Sequence, residues 1–146
     1  MTVVCPPIEW LLVLHAAMTL FMVGVIWFVQ VVHYPLFSRV GEAAFPEYGR
    51  HHVRRTGWVV GLPMLVELGA AIAIVWCLGG ALAWCGLALL AVVWTSTGLW
   101  QVPAHRRLER GFDAAVQRWL VSTNWVRTGA WSARGIIAFA LLVKPC

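Results

Sequence analysis

The sequence predicts an all-α integral membrane protein, a bundle of four spanning helices with an amphipathic helix before the last one. Two observations carry the prediction. The 146-residue chain is 61% hydrophobic and only 12% charged, with a mean hydropathy of +0.78, far from the balance of a water-soluble domain. The apolar residues also fall into four stretches near the roughly 20 residues that a spanning helix needs. A chain this length holds one domain, residues 1–146, and at most about five spans.

Span one is expected over about 8–32, closed by His33-Tyr34-Pro35. No Lys or Arg precedes it, so it lacks the basic start of a signal peptide and is expected to be retained. Span two is expected over about 57–78 and contains Pro63, which a membrane helix tolerates. Gly79-Gly80 then turns the chain into span three, about 81–102, which Pro103 stops. Over about 104–123, Leu108, Phe112, Ala115, Trp119 and Leu120 recur at helical spacing against Arg106, Arg107, Glu109, Arg110 and Arg118, the pattern of an interfacial helix. Span four is expected over about 124–143.

Charge sets the expected orientation. Eight of the eleven Lys and Arg lie in segments 33–56 and 103–123, and the turn between spans two and three carries none. Positive residues flanking spans stay in the cytoplasm, which places both termini outside and suggests a bacterial inner membrane. Four of the ten Trp (Trp10, Trp58, Trp100 and Trp125) fall at span ends, where indole rings settle among headgroups. The basic residues form no aromatic-interleaved surface of the kind that binds nucleic acid, so the net charge of +5 reads as a topology signal and nucleic acid is not an expected partner. The four cysteines fall near the outer ends; Cys77 and Cys85 flank the Gly-Gly turn and are within reach of a bridge, the alternative being four small buried hydrophobes.

Charges inside apolar spans point to the candidate site, because at membrane depth they are costly and face the protein interior. Glu67 and Arg134 each lie ten residues into their spans, roughly 15 Å deep, and an ion pair between them accommodates both. Such a pair serves as a latch for the bundle, a proton-handling carboxylate or an anchor for a polar ligand group. Asn124, Arg127, Trp131 and Arg134 repeat at three and four residues and form one polar stripe. Gln30 and His33 share a face of span one, and Gln101 and His105 lie at the end of span three. Together Gln30, His33, Glu67, Gln101, His105, Asn124, Arg127 and Arg134 are the candidate lining of a pocket for a hydrophobic, partly polar small molecule. Haem or metal held through His33 and His105 is not expected, since no Cys-x-x-Cys-His, His-Glu-x-x-His or Glu-x-x-His occurs. No nucleophile elbow and no phosphate-cradling glycine loop occurs either.

Span one ending in His33-Tyr34-Pro35, the kinked second span, and Gln101-Val-Pro-Ala-His-Arg-Arg-Leu108 leading to Asn124-Trp-Val-Arg-Thr-Gly-Ala-Trp-Ser-Ala-Arg134 carry a resemblance. The layout resembles the small four-span membrane proteins related to anthrone oxygenases, a family largely of unknown function. The resemblance implies, as one alternative, a cofactor-independent oxidoreductase in which His33, His105, Arg127 and Arg134 deprotonate a phenol and hold its anion. The Gln-Val-Pro-Ala-His segment and Glu67 depart from those proteins. A second alternative is a non-catalytic accessory subunit of a larger membrane complex, or a homo-oligomer, in keeping with the many Trp and the small extramembrane mass.

Overall fold

The computed structural model describes residues 7–143, and the four long rods follow from the apolar patterning. Helix α1 runs Ile8–Phe28, continues through a π-helical turn Val29–His33 and ends in a 3-10 segment Pro35–Arg39. Helix α2 runs Phe45–Leu78, and α3 runs Gly80–Ser96. A second π-helical turn, Thr97–Gln101, joins α3 to the short α4, Val102–Leu108, and α5 runs Ala114–Val143. The four rods so formed are all long and apolar enough to cross a membrane. The expected all-α four-helix bundle is therefore observed, and its character is that of a multi-pass membrane protein.

The rods form a ring in which α1 packs on α2 and α5, and α3 packs on α2 and α5. Helices α2 and α5 are diagonal and their backbones do not approach. Three apolar layers fill the axis: Leu11, Ile74 and Ala83 near the Gly79–Gly80 turn, Met22, Leu90 and Trp131 at mid-height, and Phe37, Phe45 and Leu120 at the basic end. Outward faces carry large apolar side chains such as Trp58, Leu62 and Ile136, each at least 70% exposed. A surface of that kind is what lipid solvates and water does not.

The boundaries differ from expectation at the basic end. At 34 residues, α2 is roughly 51 Å long, about 20 Å more than a hydrocarbon core. It begins at Phe45 rather than 57 because Pro46 sits in its first turn, where a missing N–H costs nothing. The amphipathic segment 104–123 is helical on both sides of a bend at 109–113 instead of forming one separate interfacial helix. Its first part completes the third rod as α4, and its second part is the opening of α5. The break has a local cause: Gly111 takes φ 158°, and Asp113 caps α5 by accepting hydrogen bonds from the N–H groups of Ala115 (2.8 Å) and Val116 (3.1 Å). Those two N–H groups hold the exposed Asp113 carboxyl below its ordinary 3.8. The apolar face of the segment, with Leu108, Val116 and Leu120, is buried in the basic-end core.

At the opposite end, Gly79 (φ 60°) and Gly80 (φ 81°) occupy the left-handed region, where glycine pays no steric penalty. Cys85 is a free, exposed thiol, so no bridge joins it to Cys77 across this turn. Cys5 and Cys146 lie outside the described residues.

Candidate functional site

Polar groups are threaded along the bundle axis in three layers. The layer nearest the Gly79–Gly80 turn is built on Glu67 of α2 and Arg134 of α5, which are 0% and 1% exposed. Because α2 and α5 are diagonal, these side chains must reach through the centre to meet. Arg134 donates from Nε (3.0 Å) and Nη2 (2.9 Å) to Glu67 Oε1. Thr19 donates to the same oxygen at 2.8 Å, and Trp131 Nε1 donates to Oε2 at 3.2 Å. Arg134 Nη1 donates to the Gly86 carbonyl. Its Nη2 also lies 3.2 Å from His15 Nε2, which must accept because a guanidinium has no lone pair to offer. This puts the His15 proton on Nδ1, a buried atom without a partner among the described residues.

The sequence marks Glu67, Trp131 and Arg134, whereas His15 and Thr19 were missed as members. Their one available signal was helical spacing: four residues apart, they share the buried face of α1 with Met22 and Ile26.

The second layer lies where the two π-helical turns face α5. An added residue in a helix turn re-aims side chains and often marks a functional site. Gln30 donates to the Val121 carbonyl at 3.1 Å and accepts from Asn124 Nδ2 at 2.8 Å. Gln101 donates to Thr123 Oγ1 at 3.0 Å, leaving its own carbonyl oxygen unpartnered. Arg127 donates from Nη1 to Asn124 Oδ1 at 3.0 Å, and its guanidinium stacks on Trp131, 5.2 Å from the ring centroid. These four candidates therefore belong to one buried layer.

The third layer is histidine-rich and surrounds Phe37. His33 Nε2 and His52 Nδ1 are 2.8 Å apart, Thr56 Oγ1 is 3.1 Å from the same His52 nitrogen, and Tyr34 Oη is 3.0 Å from His105 Nε2. The His52 and His105 rings lie 5.2 Å apart. A 2.8 Å separation is that of a direct hydrogen bond, and two imidazole nitrogens about 2.0–2.1 Å from one tetrahedral zinc stand farther apart. Among the described residues, no group of three or more His, Cys, Asp or Glu side chains is arranged to hold a metal. His52 and Tyr34 were not among the candidates. His51, its sequence neighbour, points away and lies 3.8 Å from Glu47, so the side chain that turns inward is settled by the phase of α2.

A cavity of about 600 Å³ runs beside this third layer, in the groove between α1 and α2. Leu20, Phe21, Gly24, Val25, Phe28 and Val29 line it from α1, and Val59 and Val60 from α2. His33, Arg55 and Thr56 close its basic end. Of the eight candidate residues, His33 alone lines this cavity. Glu67 and Arg134 satisfy each other within the bundle instead. No family model, no curated protein and no solved structure matches the chain.

Proposed function

We propose that this protein binds a hydrophobic, partly polar small molecule in the groove between α1 and α2. The observation that carries this reading is the distribution of polarity along the groove: apolar side chains over most of its length, with His33, Thr56 and Arg55 gathered at one end. From Leu20 to His33 is thirteen residues, a path of roughly 20 Å. The volume lies within the range of small-molecule sites. Phe21, Phe28 and Val59 are 43 to 59% exposed, so the groove opens sideways, and a ligand dissolved in the bilayer reaches it without crossing water. Imidazole, hydroxyl and guanidinium groups at the end then fix its orientation.

Photolabelling tests this reading. A long-chain alcohol bearing a diazirine should modify peptides covering residues 20–33 and 55–60 well above the other lipid-facing segments. Labelling spread evenly over all four rods, as bulk lipid would give, overturns it.

The charge distribution supports an orientation with the histidine layer and the 109–113 bend in the cytoplasm and both termini outside, in a bacterial inner membrane. Single cysteines introduced into a chain whose four native cysteines are replaced by Ala check it: Ala81→Cys should react with an impermeant maleimide on intact cells, and Gly41→Cys only after permeabilisation. The opposite pattern reverses the topology.

A further inference from the structure

The two interior arginines are treated very differently by the fold. Arg134 meets a carboxylate through two of its nitrogens. Arg127 is 8% exposed, yet no carboxylate faces it among the described residues. Six acidic residues exist in the whole chain, and Glu67 is the one that is buried, already engaged by Arg134. The partners of Arg127 are all neutral: Asn124 Oδ1 at 3.0 Å, the Trp131 ring and the nearby Tyr34 hydroxyl. Its Nε is buried and hydrogen-bonded to nothing.

A guanidinium stays charged at any ordinary pH, and an enclosed charge without a counter-ion is strongly unfavourable. The surroundings worsen the balance, since eight of the eleven Lys and Arg lie in segments at this end of the bundle. What the chain withholds, a solute must supply.

We infer that Arg127 is the core of a buried anion site, which takes a small monovalent anion of halide or formate size. Size follows from enclosure: Asn124 and Trp131, which contact the guanidinium, are both 0% exposed, an enclosure that disfavours a bulky group. The unpartnered Nε supplies a donor aimed at the anion, and the two Nη groups supply the charge. This site is separate from the α1–α2 groove and does not depend on what the groove binds. Its occupancy would bear on the second polar layer, because Asn124 connects Arg127 to Gln30 in the first π-helical turn.

Thermal unfolding of the purified protein in a non-ionic detergent decides the matter, with ionic strength held constant by sodium gluconate, whose anion is too large to enter. Replacing gluconate by chloride or formate should raise the Tm of the wild type by roughly 3 °C or more at saturation. Arg127→Gln should show no such response and should be at least as stable as the wild type in gluconate, because it removes an unbalanced charge. Arg127→Lys keeps the charge and should retain a weakened response. A wild type indifferent to the anion, or an Arg127→Gln protein that responds equally, overturns the inference. So does an Arg127→Gln protein less stable than the wild type in gluconate, since that marks the arginine as a neutral-partner latch. An Arg127→Gln protein that fails to fold counts with this last outcome, and the wild-type and Arg127→Lys titrations check it independently.

Discussion

Glu67→Ala is expected to destabilise the bundle by about 3–5 kcal/mol, because it leaves Arg134 charged, buried and without its carboxylate. The paired substitution Glu67→Ala/Arg134→Ala should cost less than either single change, since no lone charge remains. Some loss will persist in the double variant. Thr19 and Trp131 Nε1 lose their acceptor there, as they already do in Glu67→Ala, and the Gly86 carbonyl loses its donor, each a smaller cost than a lone buried charge. Unfolding by titration with a denaturing detergent in mixed micelles measures all three variants. Additive losses in the double variant would show that the two groups do not act as a unit. The geometry argues otherwise: the pair bridges α2 and α5 across the axis, and the backbones of these rods make no approach of their own. The contact thus ties together a diagonal that apolar packing between neighbours leaves unsecured.

How much of this arrangement was legible in the sequence depends on the kind of signal. The four rods announced themselves through length and hydropathy, properties that lipid imposes on any spanning helix. Glu67 and Arg134 stood out for the complementary reason, as charges where charges are costly. Rod ends were harder. Nothing in an apolar count shows that α2 starts at Phe45, because residues 45–56 are polar and their helix is set by Pro46 and by burial of Phe45 and Gly49. The bend at 109–113 was hidden by a period that stays in phase across it. At the site, the polar stripe of α5 could be read from its spacing of three and four residues. The π-helical turns could not, since an added residue per turn leaves no compositional mark, yet those turns carry Gln30, His33 and Gln101. The choice of His52 over His51 likewise depends on the rotation of α2 against α1, a tertiary quantity. The groove itself is formed by what the side chains leave empty, and no residue type signals a gap.

That gap makes Gly24→Leu the most informative single change for the ligand-binding proposal. Gly24 lines the groove, and a Cβ added there meets no atom within 4 Å. The side chain would therefore grow into the cavity rather than into protein. Glycine inside a helix is less favourable than leucine by up to about 1 kcal/mol, so α1 should be no weaker for the change. Folding and binding are expected to separate. The affinity for a dansyl-labelled undecanol, read by its fluorescence, should fall tenfold or more, which corresponds to about 1.4 kcal/mol, within the usual penalty for overfilling a packed site. Gly129→Leu is the matched control: Gly129 is an exposed helical glycine on α5, its added Cβ also meets nothing, and it does not line the groove. Binding lost equally in both variants would point to a general effect of leucine on the detergent-embedded surface. Binding retained in Gly24→Leu at unchanged stability would remove the α1–α2 groove as the seat of the ligand, while leaving the Glu67–Arg134 contact and the Arg127 site untouched, because neither shares a residue with it.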